Sequence, residues 1–367
     1  MQECKIRVNI FDKHRYCMGV KMLLQRNGIQ LILQKIKEQG PISKRELQEV
    51  TGLSWGHVSQ VTKRFLEEGY IVVKEQELTA GRTRDLLDIN PDDYYFIGID
   101  LNSQRMRIVL ADMKGRVIYK NRVTWLKQEK DIVLSMLFQE IDCVVEQYSE
   151  KQILGIGFAV QGIVDVLEGV SIEIGGIKNW NQIPLRAIMA ERYGIDIVLA
   201  HDPDCLMKSE FGFGALKNSD VQDAIVVNYN YGLGVGMSIM IQGHIYLGSQ
   251  SKAGELGHAI LNVREDGWHD MLAQYISKRD DEIDMQVLGS YIGRSVAMVN
   301  SFLNPEVIIV HIAEPDYKEV IFESIKDYLK GYSYNRDVKL KLSTLDRNVK
   351  AIGATLMVID EWIDKII

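Results

Sequence analysis

One order of elements is spelled twice in this chain, once from Tyr95 and again from Ala224, and that repetition limits the fold more than any other feature. Tyr95 to Leu101, Met106 to Ala111 and Arg116 to Lys120 alternate or run apolar between turn signals, and Ala224 to Asn230, Val235 to Ile241 and His244 to Leu247 do the same. In each copy a tight glycine turn, Met113-Lys114-Gly115 or Ile241-Gln242-Gly243, joins the second strand to the third. Strand hairpins leading into strand-helix alternation predict an α/β architecture, and two copies predict an internal duplication with a ligand cleft between lobes. The first copy runs into a helix from about Asp131 to Tyr148. The second is followed by a helix over Asp284 to Leu303, a buried strand over Glu306 to Ile312, and helices near Tyr317 to Leu329 and Val349 to Ile366.

Ahead of the duplication the period changes to that of helices. Ile29, Ile32, Leu33 and Ile36 form an amphipathic stripe that Gly40-Pro41 stops. Ser43 and Glu46 have capping-box spacing, so a short second helix starts there with Leu47 and Val50 inward. Gly52 suits a left-handed cap, and Ser54 caps a third helix that turns Val58, Val61, Phe65 and Leu66 inward. Two helices joined by a glycine turn make a helix-turn-helix, or a helical hairpin that merely packs. Strand-like Tyr70 to Val73 and Leu86 to Ile89, flanking the polar tip Thr79-Ala80-Gly81-Arg82-Thr83-Arg84, add a wing and favour the DNA-binding reading. The third helix presents Ser54, Trp55, His57, Ser59, Gln60, Lys63 and Arg64 as the base- and phosphate-reading set, and Arg82 and Arg84 suit a narrow minor groove.

Charge points the same way. Residues 1–90 hold 15 Lys and Arg against 11 Asp and Glu, and the remainder 28 against 39, so a mildly basic head precedes an acidic body. With 46% hydrophobic and 25% charged residues the 367-residue chain reads as globular and large enough for two or three compact units. Cys4, Cys17, Cys143 and Cys205 form no Cys-x-x-Cys pair, so neither a zinc ribbon nor a disulfide framework is indicated. No apolar run is long enough to span a membrane and the N-terminus has no apolar signal core, from which a cytoplasmic location is expected. The expected units are a winged helix-turn-helix over 1–90 and an effector domain over 91–367, in lobes of about 91–200 and 201–367.

The most specific motif lies in the second copy: Tyr231-Gly-Leu-Gly-Val-Gly-Met, then Gly243, Gly248 and Ala253-Gly-Glu-Leu-Gly-His258. This ordered set resembles the signature of the ROK family (repressors, open reading frames and sugar kinases), in its transcriptional-repressor branch, of which the xylose repressors are the best known. The resemblance spans nearly the whole chain. It implies an actin-like, ribonuclease H-like ATPase-type fold in two lobes. It assigns Glu255 to sugar hydroxyls and matches Asp202, in Leu199-Ala-His-Asp-Pro-Asp-Cys, to the base of the kinases, with His201 and Asp204 where the family has asparagine. Gly162, in Gln161-Gly-Ile-Val-Asp165, matches a loop beside the sugar, and Asn179, before Trp180, a further sugar contact. His258 corresponds to a zinc ligand, but the three cysteines that complete the family's site are missing between Ala259 and Asp270, so no metal is expected and His258 and Asp270 are read as ligand or loop-ordering residues.

Where the kinases of this family hold phosphate on an Asp-Leu-Gly-Gly-Thr-Lys turn, this chain reads Asp100-Leu-Asn-Ser-Gln-Arg105, and the glycine-rich adenosine segment reads His311-Ile-Ala-Glu314. ATP is therefore not expected, and no catalytic residue is assigned. The expectation is a repressor of carbohydrate-utilisation genes, acting as a homodimer or higher oligomer on double-stranded operator DNA under control of a sugar effector. The alternatives are an ATP-dependent sugar kinase with a DNA-binding head, which an intact Asp202 permits, and a regulator whose body only dimerises.

Overall fold

The computed structural model describes residues 27–79, 82–263, 269–277, 283–331 and 338–366. Its first elements are α1 (Gly28–Gln39), β1 (Ile42–Ser43), α2 (Lys44–Thr51), α3 (Trp55–Glu67), β2 (Ile71–Thr79) and β3 (Arg82–Ile89), with the strands in the order β1-β3-β2. The caps form as spaced in the sequence. Ser43 Oγ accepts from the amide of Glu46, whose carboxylate takes the amide of Ser43, Gly52 closes α2 at φ +68°, and Ser54 Oγ accepts from the amide of His57. Ile32, Leu33, Ile36, Leu47, Val58, Val61 and Phe65 form the core of this head. Val50 is 45% exposed, because α2 is only two turns long and buries a single residue fully, and Leu66 of α3 is half-buried. The wing strands extend further than their apolar ends suggest. Thr79 pairs with Arg82, so most of the expected polar tip belongs to the ladder, and Ala80 and Gly81 lie outside the described residues.

The duplication is borne out strand by strand. The first copy comprises β4 (Tyr94–Leu101), β5 (Arg105–Asp112), β6 (Val117–Thr124), α4 (Lys130–Gln147), β7 (Gln152–Val160), β8 (Ile163–Asp165), β9 (Val170–Glu173), α5 (Leu185–Tyr193) and β10 (Asp196–His201). Its sheet has the order β10-β7-β4-β5-β6, antiparallel across β4-β5-β6 and parallel across β4-β7-β10. After α6 (Asp202–Phe213) come β11 (Ala224–Asn230), β12 (Gly234–Ile241), β13 (His244–Ile245), a 3₁₀ turn over Leu256–His258, β14 (Ile260–Val263), β15 (His269–Met271), α7 (Leu272–Ile276), α8 (Met285–Leu303), β16 (Val307–Ile312), α9 (Pro315–Lys330), β17 (Leu340–Leu342) and α10 (Val349–Lys365). The second sheet, β13-β12-β11-β16-β17, is antiparallel across β11-β12-β13 and parallel across β11-β16-β17, the topology of the first.

One helix departs from a division in chain order. A split into 91–200 and 201–367 puts α10 with the second lobe, whereas the structure lays it on β4, β7 and β10 of the first sheet, and against α1 of the head. The contact is too close for side chains. A Cβ on Gly157 would lie 1.9 Å from the carbonyl oxygen of Ala354, and one on Gly353 would lie 1.7 Å from that of Cys205 in α6. So α10 is held between the first sheet and α6 with backbone on both sides, and Leu356, Val358, Ile359, Ile363 and Ile366 join the same apolar cluster as Ile32, Leu33, Ile36 and Phe96. Burying each such side chain contributes about 1.5–3 kcal/mol, and the shared cluster makes head and first lobe one packed body.

Candidate functional site

α6 begins where β10 ends and packs against strands of both sheets, so its first turn sits between them. His201 is the N-cap and Asp202 the first helical residue, where the positive end of the helix favours a carboxylate. Asp202 Oδ2 accepts from Asn228 Nδ2 of β11 at 3.1 Å and from Lys350 Nζ of α10 at 2.5 Å. His311 Nδ1, on β16, faces Asn228 Oδ1 at 3.2 Å. Burial, with Lys350 and Lys318 adding to it, pushes the His311 imidazole down to about 3, so it is neutral near pH 7. Asp204, buried one turn-step on, accepts from Ser238 Oγ at 2.6 Å, and burial pushes its carboxyl up to about 6, against the opposing pull of His201.

Glu255 reaches this group from the loop after β13. Gly254, at φ +90°, lies so close to β12 that a Cβ would come 1.9 Å from the Met237 carbonyl oxygen, and the Met237 amide donates to the Gly254 carbonyl. That contact holds Glu255 with Oε1 3.8 Å from His201 Nδ1. His201 is 8% exposed, and its Nε2 is buried without a hydrogen-bond partner among the described residues. His201, Asp202, Asp204 and Glu255 thus converge from two parts of the chain, with hydrogen-bond capacity left for a polyol.

The other expected ligand residues fare differently. Gly162 forms the turn from β7 to β8 at φ +92°, packed against the Glu173 carbonyl. Asn179 is exposed at φ +62° in the turn before Trp180, and His258 is exposed at the end of the 3₁₀ turn. Asp270 pairs through its backbone with Asn262 in β14, and its side chain lies outside the described residues. The sequence has no cysteine after Cys205, so the three thiolates that would complete a tetrahedral zinc site with His258 are missing from it. No role is given by the sequence to Asn228 or Lys350, and Gln161 and His311 stand only inside motifs. Lys350, a single cation set into the otherwise apolar face Val349-Ala351-Gly353-Ala354 of α10, carried the one usable signal.

The turn between β4 and β5 is filled by a side chain of its own and one from the end of β7. Asn102 Oδ1 accepts from the amides of Gln104 and Arg105 at 3.0 and 3.1 Å, and Gln161 Oε1 from that of Ser103 at 3.0 Å. Gln161 Nε2 then donates to the Leu233 carbonyl at 2.8 Å, bridging to the matching turn of the second sheet. There the Tyr231 amide donates to Glu314 Oε2 at 3.0 Å. The amides of Ser103, Gln104, Arg105 and Tyr231 at these two turns are thus occupied by side chains of the protein itself.

On the head, Trp55 (52% exposed), Gly56, Gln60, Lys63 and Arg64 lie exposed on α3, with Ser54 at its cap and Ser59 half-buried. Lys63 and Arg64 form i,i+4 pairs with Glu67 and Glu68, and Arg84 on β3 stands 3.7 Å from Glu46. His57 is half-buried. Its ring lies against Gly28 at the start of α1, where a Cβ would come within 2.4 Å of Nε2, so it packs the helices together. The side chain of Arg82 lies outside the described residues.

Among known proteins, the family description "ROK family" matches residues 96–271, and "Winged helix-turn-helix DNA-binding" matches residues 29–72. The "Xylose repressor" of Caldicellulosiruptor bescii is 26% identical, covering 94% of this chain and 98% of its own length. A crystal structure described as a ROK family transcriptional regulator, homolog of E. coli MLC protein, superposes with a TM-score of 0.76 at 20% identity over 93% of this chain and 96% of that one. A ROK family glucokinase from Streptomyces griseus, solved with glucose and AMPPNP, matches at a TM-score of 0.59 and 17% identity over 72% of this chain and 98% of its own. No helix among the described residues is long and apolar enough to cross a membrane. This chain therefore carries a ROK family domain of actin-like sugar kinase fold, preceded by an N-terminal winged helix-turn-helix.

Proposed function

We propose that this chain is a cytoplasmic transcriptional repressor of carbohydrate-utilisation genes, and that a sugar or sugar derivative bound between the lobes sets its affinity for operator DNA. The observation that carries the reading is the contrast within one cleft. The sugar-side groups His201, Asp202 and Glu255 converge with an imidazole nitrogen still unpartnered, whereas the amides of Ser103, Gln104, Arg105 and Tyr231 are occupied by side chains of the protein itself. A site of this kind can hold a polyol and offers no ready seat for a nucleoside triphosphate. Asp202, paired with Lys350, is held as a hydroxyl acceptor rather than a proton-abstracting base. The similarity to the Caldicellulosiruptor bescii xylose repressor, over nearly the full length of both chains, supports the same reading.

No zinc takes part in this mechanism, since His258 has no thiol partners, and ATP is not a cofactor. Reading a two-fold operator calls for two heads, so a homodimer is the working assembly. Lobe movement on sugar binding shifts the population of DNA-competent molecules. Calorimetry of the purified chain against a panel of monosaccharides, phosphosugars and ATP tests the site. Binding of a sugar that is abolished by Glu255→Ala is expected. Turnover of ATP to ADP with any sugar would replace this reading with that of a kinase.

A further inference from the structure

Helix α10 touches the cleft with one end and the DNA-binding head with the other. Near its start Lys350, with an 8% exposed side chain, ends on Asp202 Oδ2. Ten residues on, about 15 Å along the helix, Asp360 accepts from Lys37 of α1 at 2.6 Å and from Lys208 of α6 at 2.8 Å. Burial alone would raise the Asp360 carboxyl, but Lys208 and Lys37 outweigh it and hold the group well below the usual carboxylate range. Beyond it Gln30 of α1 donates to the carbonyls of Asp364 and Ile366, and Trp362 stacks edge-on against Tyr70 of the head, with centroids 5.2 Å apart.

We propose that α10 is the element that reports occupancy of the cleft to the head, with Lys350 and Asp360 as its two positioning residues; this rests on the sugar-sensing reading above. Asp202 Oδ2 is shared by Lys350 and Asn228, so a ligand hydroxyl that takes this oxygen competes with Lys350 for it. A Lys350 ammonium released from Asp202 is left only 8% exposed, which favours a shift of α10 that carries it to another partner or to water. The backbone of α10 is pressed on Gly157 of the first sheet and, at Gly353, on α6, and Lys208 ties α6 to the same Asp360 that holds Lys37. A displacement at the cleft is thus delivered to α1, against which α3 packs. Neither Lys350 nor Asp360 touches DNA-reading residues, and Lys37 is only 10% exposed, turned to the body.

The test is a double-mutant cycle on the full-length chain. Substituting Asp202→Asn with Lys350→Met removes both charges at the cleft end, so no carboxylate is left buried alone, and Lys37→Met opens the head end. Groups this far apart are additive unless something couples them. The readouts are affinity for a DNA fragment bound by the wild type and hydrogen exchange of the α1 amides, which needs neither DNA nor sugar. The cleft pair should change both at least fivefold in the wild-type background and less than twofold once Lys37 is gone. Equal effects in the two backgrounds would overturn the relay. In a second arm D-xylose, D-glucose and N-acetyl-D-glucosamine are the probes: a sugar that binds the wild type should bind Lys37→Met within threefold yet no longer shift its DNA affinity, and a retained shift would also overturn it. If no sugar binds the wild type, the functional reading fails while the exchange cycle still decides the relay.

Discussion

The two sheets share one topology, but the turn between their first two strands differs. In the second sheet, Tyr231-Gly232-Leu233 retains glycine, at φ +68°, as does Gly234 beyond it at +119°. In the first, Asn102-Ser103-Gln104 folds back so that the Asn102 carboxamide and Gln161, from the end of the neighbouring strand β7, take three successive amides. Topology puts both turns at the same cleft, and side chains decide whether an outside anion can use them. A duplicated fold can therefore vary one turn at the cleft through a few side chains, with the ladders untouched.

The sharpest way to break the comparison is to unseat the helix that closes the first sheet. Gly157→Leu drives a side chain into the Ala354 carbonyl and should cost more than about 4 kcal/mol, leaving little folded protein by thermal melt. Next is the joint between the halves. Lys350→Met takes the cation from the 13%-exposed Asp202 side chain, which keeps only Asn228, and should lower stability by about 1–3 kcal/mol, whereas adding Asp202→Asn should restore most of it, as urea titration would register. Reopening the first turn is a smaller change with a sharper meaning. Asn102→Gly together with Gln161→Ala frees the three amides and should produce millimolar binding of AMPPNP or inorganic phosphate where the wild type shows none; unchanged titrations would mean that another feature excludes nucleotide.

The pH dependence separates two buried groups. Asp204 is raised to about 6, so it contributes a penalty that is complete above pH 6 and fades as pH falls toward its unfolded value near 3.8. His311 is lowered to about 3, so its stabilisation relative to the unfolded chain is lost as pH falls from about 6.5 toward 3. Asp204→Asn should remove the first contribution, making the variant gain most over wild type above pH 6 and least near pH 4. The smallest expected effect is on the head. Lys63→Ala should weaken DNA binding and lower the salt slope by about one unit, read from affinity against salt concentration.

Much of this was legible in the sequence because it is local. The capping box of α2, the αL glycine and the Ser54 cap are set by residues three or four apart, and the strand repeats by alternation and turn chemistry. The cluster of His201, Asp202 and Glu255 was legible only through a motif. What was not legible is non-local. α10 is apolar on nearly every face, so its pattern announces burial without saying against which sheet, and Lys350 meets Asp202 across 148 residues. The packing of the His57 ring against Gly28 is likewise a choice between helices, invisible to a helical wheel.

The central claim is that ligand in the cleft changes the grip of the head on DNA. Fluorescence anisotropy of the purified chain on DNA from upstream of its own gene, titrated with monosaccharides and phosphosugars, tests it directly. The account predicts that one sugar shifts operator affinity by at least tenfold and that Glu255→Ala abolishes the shift. Tight DNA binding that no sugar alters would contradict it.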